Sequence, residues 1–129
     1  MTTPDDLKYT TTHQWVRVEA DGTATIGITF HAQQQLGDVV YVQQLEPGRE
    51  VKQGEPCALV ESVKAASDIP APVSGEIVAV NRALADAPER VNQEPYSAWL
   101  VRIRLRDAAE LGKLLDAAGY RRMVASASY

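Results

Sequence analysis

The chain has one cysteine, two histidines and one phenylalanine in 129 residues. A single Cys cannot close an internal disulfide. Cys57 stands in the apolar run Pro56-Cys-Ala-Leu-Val60, where a small buried thiol is expected rather than a nucleophile. Neither His13 nor His31 has a second Cys, a His-x-x-x-His partner or a carboxylate pair in ligand register, so a zinc site is not supported. Gly-rich phosphate loops and Gly-x-Ser-x-Gly are missing too, which empties the usual routes to an enzyme. No apolar run approaches the ~20 residues that span a bilayer. The net charge of −4 argues against a nucleic-acid partner, because such binding rests on a basic surface. The basic cluster of Arg102, Arg104, Arg106, Arg121 and Arg122 does not reverse this. Its first three members alternate with Val101, Ile103 and Leu105, as on the wet face of a half-buried strand. Met1-Thr-Thr-Pro-Asp-Asp6 lacks the basic and apolar stretches of a secretory signal, so the chain is expected inside the cell or an organelle matrix.

What is present reads as one domain spanning 1–129, with 1–6 and 126–129 expected to fray. Residues 14–19 and 23–28 alternate and are β-branched, and Ala20-Asp-Gly22 between them signals a hairpin turn. Thr29 predicts the cap of a short helix near 29–36, ended by Gly37 in the left-handed conformation. Val39-Val-Tyr-Val42 predicts a strand and Glu46-Pro-Gly48 a turn. Residues 82–97 are rich in turn-formers and read as a surface connection with one helical turn, before 99–105 returns to strand. Asp107 with Glu110 resembles a capping box, and Leu111, Leu114, Leu115 and Ala118 lie at helical spacing. They predict a C-terminal helix near 108–118 packed on the sheet. Gly112 inside it costs about 1 kcal/mol against Ala and leaves its ends open. Many short strands with turns every ~8–12 residues make the fold mainly β, a sandwich or barrel.

The most informative position is Lys64. Gly-Glu recurs at 54 and 75, a spacing of 21, each time followed by an apolar strand-like run; Lys64 falls ten residues after the first glycine and eleven before the second. If each Gly-Glu opens a strand, the chain runs out along a sheet, reverses at Lys64 and returns to a second turn beside the first. The lysine then stands exposed at a hairpin tip, with Glu61-Ser-Val before it and Ala-Ala-Ser-Asp68 after it. An exposed lysine is charged at neutral pH and does no nucleophilic work, so Schiff-base or general-base catalysis is not expected. Two readings remain: a solvated hairpin lysine, or an attachment point presented to other proteins, where the attached group carries the chemistry.

The run Glu61-Ser-Val-Lys64-Ala-Ala-Ser-Asp68-Ile, followed by Ala71-Pro-Val-Ser-Gly75-Glu-Ile-Val-Ala-Val-Asn81, resembles the lipoylation segment of the glycine cleavage system H-protein family. Biotin carriers usually present Met-Lys-Met, and lipoyl domains of 2-oxo acid dehydrogenases Asp-Lys-Ala. Further blocks resemble the family in order: Leu7-Lys-Tyr-Thr10, His13-Gln-Trp15, Gly27-Ile-Thr29, His31-Ala-Gln33, 36–42, Val91-Asn92, Glu94-Pro-Tyr96, Leu114-Leu-Asp116 and Tyr120. The resemblance implies a flattened barrel-sandwich hybrid with lipoate amide-bonded to Lys64. It also implies that Glu61 and Gly75 are positions the lipoylating enzyme recognises. It implies no active site. The carrier would shuttle an aminomethyl group from a pyridoxal-phosphate glycine decarboxylase to a tetrahydrofolate-dependent aminomethyltransferase, and a dihydrolipoyl dehydrogenase would reoxidise its arm. Such a carrier is expected as a monomer, cytoplasmic in a bacterium and in the mitochondrial matrix of a eukaryote.

The sequence also departs from that family. Gln14 stands where a Glu usually would hold the cationic loaded arm, so residue 14 is a candidate arm-docking position without the charge. Phe30 replaces an acidic or polar residue, Pro70 replaces Tyr, and the link from Pro95 to Trp99 is shortened. Two other roles stay open on these departures: a lipoyl-relay protein that donates lipoate to other carriers, and an unmodified interaction module.

Overall fold

The computed structural model describes residues 3–127. Among the described residues, nine strands form two antiparallel sheets. They are β1 (Lys8–Tyr9), β2 (Gln14–Val18), β3 (Thr23–Ile28), β4 (Val39–Gln44), β5 (Glu50–Val51), β6 (Pro56–Ser62), β7 (Ala66–Pro70), β8 (Gly75–Val80) and β9 (Val101–Leu105). One sheet runs β1-β2-β3-β9-β8-β5 and the other β4-β6-β7. The architecture is mainly β, as the strand spacing predicts, and the two sheets do not close into a single barrel.

Alternation along the strands sends side chains to two cores. Val16, Ile26, Ile77 and Ile103 of the larger sheet join Val42, Val60 and Ile69 of the smaller one in a single apolar cluster. Trp15, one residue before Val16, faces the other way, into a cluster with Leu7, Tyr9, Ala117 and Tyr120. Its indole N–H donates to the Pro95 carbonyl at 2.9 Å. Cys57 is fully buried, and burial pushes its thiol up to about 12. The arginine alternation is a solvated face: Arg104 pairs with Glu76 at 3.0 Å, Arg106 with Glu50, and Arg102 lies over the Trp99 ring.

Helix α1 (Phe30–Leu36) starts where Thr29 Oγ1 accepts from Ala32 N, and it stops at Gly37, whose φ of 82 suits a residue without a side chain. Residues 82–97 hold two short helices, α2 (Ala83–Asp86) and α3 (Arg90–Gln93), rather than one turn. Asn92 of α3 joins the segment to its neighbours. Its side chain accepts from Val39 N and donates to Gly37 O and Gln33 Oε1, tying the end of α1 to the start of β4.

The C-terminal helix is displaced from the predicted 108–118. A 3₁₀ helix spans Ala108–Lys113, and the α-helix, α4, spans Ala117–Ala127. Asp107 does cap a helical start, accepting from Ala109 N. Leu115 then exchanges two backbone hydrogen bonds with Tyr9, each of 2.8 Å, which extends the chain and ends the first helix. Asp116 restarts it by accepting from Gly119 N. Contacts are made near both ends of the described residues. Tyr9 Oη donates to Pro4 O, Arg121 donates to Thr3 O and Asp5, and α4 continues through Ala127. Residues 1, 2, 128 and 129 lie outside the described residues.

One further expectation is corrected. The strand that returns from Lys64 is β7, in the small sheet, whereas the Gly75 strand, β8, belongs to the large one. The two Gly-Glu turns nevertheless meet as predicted: Gly54 N donates to Ala71 O at 2.8 Å and Gln53 N to Ser74 Oγ at 2.9 Å. Pro70 to Ser74 thus carries the chain from one sheet to the other. The reason is local, since Pro70 and Pro72 lack the N–H groups that a continuing ladder would need.

Candidate functional site

Lys64 is at the tip of the β6–β7 hairpin and exposed. The tip is braced. Ser62 N donates to Ala65 O at 2.8 Å, and Ser62 Oγ accepts from both Lys64 N and Ala65 N, at 3.1 and 3.2 Å. Val63 N donates to Asp38 O, joining the tip to the loop after α1. The hairpin therefore presents its lysine from a turn whose backbone donors are satisfied. Val63 itself is 67% exposed, an apolar residue placed outward beside the amine.

From this tip the lysine folds toward α1. Nζ donates to Gln35 O at 3.3 Å, at the helix C-terminus, where carbonyls lack helical partners and a cation is favoured. The stem passes over Gly37. A Cβ there would sit 3.3 Å from Lys64 Cε, so the missing side chain leaves a channel for the stem. Beyond Gln35 lies a groove of about 440 Å³ between β7 at 67–70, α1 at Ala32, Gln35 and Leu36, and the loop at 11–13 with Gln14 at the start of β2. Its size is within the range that takes a drug-sized ligand. The cradle at Gly37 and the groove beside it fit an acyl arm carried on Lys64, with Leu36 and Ile69 for its apolar part and Asp68 and His13 for a polar end.

The other predicted positions fall in two places. Glu61 is on β6, three residues before the lysine, in register with Ala66 of β7 and Tyr41 of β4. Gly75 is beyond the far end of β7; six extended residues from Lys64 to Pro70 already span ~20 Å. A Cβ at Gly75 would collide with the Arg104 carbonyl oxygen and press on Ile103 Cγ2 at 2.8 Å. Its lack of a side chain serves the β8–β9 pairing.

Gln14 lines the groove but is only 2% exposed. Its Oε1 accepts from Thr10 Oγ1 and Thr12 Oγ1, at 2.7 and 2.6 Å, and its Nε2 donates to Thr12 O at 2.6 Å. Both acceptor positions of the amide oxygen are taken by its own loop. A second hollow of about 350 Å³ continues past Gln14 and Pro70 toward Lys113.

Sequence reasoning missed His13. Its Nδ1 lies 2.8 Å from Tyr120 Oη and its ring tilts against His31, with centroids 4.6 Å apart. Burial, and then His31, hold its pKa below the ordinary histidine value. Burial likewise pushes the Tyr120 hydroxyl up to about 12. The backbone of His13 is left-handed at φ 72, a conformation costing about 1 kcal/mol or more for a residue with a side chain. Nothing in Thr-Thr-His-Gln announces this, because both partners come from distant helices. Among the described residues, no group of three or more His, Cys, Asp or Glu could hold a metal ion, and no helix is long and apolar enough to cross a membrane.

Three comparisons bear on this arrangement. The family model of the glycine cleavage H-protein matches residues 7–127. A glycine cleavage system H protein of Nitrosospira multiformis is 57% identical over 126 residues, covering 98% of each chain. One of Methylococcus capsulatus is 61% identical over 118 residues, covering 92% of this chain and 93% of that one. The crystal structure of a glycine cleavage system H protein from Mycobacterium marinum superposes with a TM-score of 0.87 at 40% identity, over 95% of this chain and 99% of the other.

Proposed function

The chain belongs to the glycine cleavage H-protein family, the lipoyl carriers of glycine cleavage, and on that premise we propose that Lys64 bears the lipoyl group and that 1–129 works as one carrier domain. The observation that carries this reading is the placement of Lys64 on a braced tip beside a groove sized for an arm. The bound dithiolane would supply a disulfide that opens as one sulfur takes up an aminomethyl group and the other becomes a thiol. The chain's own residues hold and present it. The Ser62 turn fixes the attachment point, Gly37 leaves room for the stem, and the groove offers a resting place between encounters. Acylation removes the Lys64 charge and with it the reason for Nζ to stay at the α1 C-terminus.

The partners in this reading are a pyridoxal-phosphate glycine decarboxylase, a tetrahydrofolate-dependent aminomethyltransferase, a dihydrolipoyl dehydrogenase and the enzyme that attaches lipoate. Each must reach the tip, and Glu61 on the adjoining strand is the side chain proposed to guide the last of them. The carrier performs no catalysis. A cytoplasmic site of action belongs to the same reading, supported by the bacterial origin of the relatives. Intact-mass measurement of the chain expressed with a lipoylating enzyme tests it: one lipoyl amide on Lys64 is expected, and an unmodified Lys64 or modification elsewhere would overturn it.

A further inference from the structure

The sequence holds two histidines, and the fold brings them into contact: the rings of His13 and His31 are 4.6 Å apart, tilted by 42°. His13 comes from the loop before β2, where the backbone is held at a φ of 72, and His31 from the first turn of α1. Two elements thus present one imidazole each to the same place. Nδ1 of His13 is engaged, 2.8 Å from the hydroxyl of Tyr120, which is buried, stacked on Tyr9 and 2.7 Å from Thr29 Oγ1. When Nδ1–H donates to that hydroxyl, the lone pair of Nε2 is left over. Among the described residues, no hydrogen bond occupies Nε2 or either nitrogen of His31.

We propose that His13 and His31 form an open site for a divalent transition ion that takes imidazole nitrogen, of which zinc(II) is the type, and that Tyr120 is the positioning residue that holds His13 in the ligating tautomer. Two imidazoles bound to one ion at about 2.0–2.1 Å, at right or tetrahedral angles, put their ring centres roughly 4.5–5 Å apart. The two rings already stand at that separation. The Tyr120 hydroxyl supplies the outer partner that a metal-bound histidine usually has on its other nitrogen. Two ligands fall short of a group of three or more, and no such group exists among the described residues. Water therefore fills the remaining positions, and the ion exchanges readily. The thiol that zinc would otherwise prefer, Cys57, is fully buried and stays protonated. An ion on the pair ties the loop before β2 to α1 and so clasps two walls of the groove. This inference does not rest on the carrier reading.

The test uses the full, untagged chain as Lys64→Arg, so that no lipoyl dithiol competes for the ion, titrated with zinc chloride by calorimetry. One ion per chain is expected, with the imidazole signals of both histidines moving together by NMR and the melting temperature rising with zinc concentration. Magnesium chloride, whose ion prefers oxygen ligands, should give no saturable binding. His31→Gln removes one ligand, and His13→Asn removes the other while tolerating the left-handed backbone. Each should abolish the saturable step. Tyr120→Phe keeps the stack on Tyr9, loses only the hydroxyl and should weaken binding by roughly tenfold or more. An unchanged affinity in Tyr120→Phe would overturn the positioning role. No saturable zinc binding, equal binding of magnesium, or binding that survives both histidine replacements would overturn the site. None of these outcomes touches the carrier reading, which is decided separately by the mass of the parent chain.

Discussion

Lys64 Nζ donates to the backbone oxygen of Gln35, 29 residues earlier in the chain, across 3.3 Å. The amine that leaves the hairpin is thus parked at the end of a neighbouring helix, at the mouth of the groove. Lys64→Arg retains a cation that can reach the same carbonyl but has no acylatable amine. Its thermal unfolding should match the parent within the ±0.5 kcal/mol usual for surface changes, while intact mass shows no lipoyl addition. Lipoylation of the Lys64→Arg variant would move the attachment site elsewhere.

Gly75→Ala forces a Cβ into the Arg104 carbonyl, in a pairing of backbones that cannot part without breaking the β8–β9 ladder. The expected loss is about 3 kcal/mol or more, read from the urea midpoint. Because Gly75 stands far from Lys64, lipoylation should fall only in step with the folded fraction. A deficit beyond that would assign Gly75 a direct part in recognition by the lipoylating enzyme.

Gln14→Ala removes three side-chain hydrogen bonds that hold residues 10–12 against the groove. Water can replace the bond at the exposed Thr12, so a loss of about 2 kcal/mol is expected rather than the full sum. Amide exchange should quicken at the loop and remain slow at Val16 and Ile26 in the core. Uniform quickening would mean that the loop is part of the global unit.

The depressed pKa of His13 sets a pH dependence. Its folded pKa is below the ordinary 6.5, so the unfolded chain takes up the proton first as the pH falls. Stability is complete above about 6.5 and declines through the window between that value and the folded midpoint. His13→Asn tolerates the left-handed backbone and does not titrate. It should flatten this part of the profile of melting temperature against pH; an unchanged slope would assign the dependence to other groups.

What could be read from the sequence followed from local chemistry. Thr29 and Gly37 mark the bounds of α1 because caps and stops act within a turn, and the β2–β3 hairpin follows from alternation around Asp21-Gly22. The exposed position of Lys64 was legible from two turns placed symmetrically about it. Long-range pairings were not legible. The Leu115–Tyr9 bridge moved the C-terminal helix by about nine residues, since an apolar stripe at helical spacing cannot show that one member belongs to a strand. The same limit hid the contact between His13 and Tyr120, 107 residues apart, and the crossing of the chain between sheets after Pro70. At Gln14 the residue type announced a lost charge, but only the fold shows that its amide is spent on Thr10 and Thr12.

The Ser62 brace has a mechanical consequence. With the turn backbone bonded to Ser62 and Asp38, the pivot of any arm on Lys64 is fixed in the frame of the sheet, and all slack lies beyond the Lys64 Cα. A tethered group on a stiff mount sweeps a small shell, so its local concentration at a docked partner is high and depends on tether length. Which partner's active site falls within that shell is then decided by how the whole carrier is oriented, much as the bearing of a crane, and not the flexing of its mast, decides where the hook comes down.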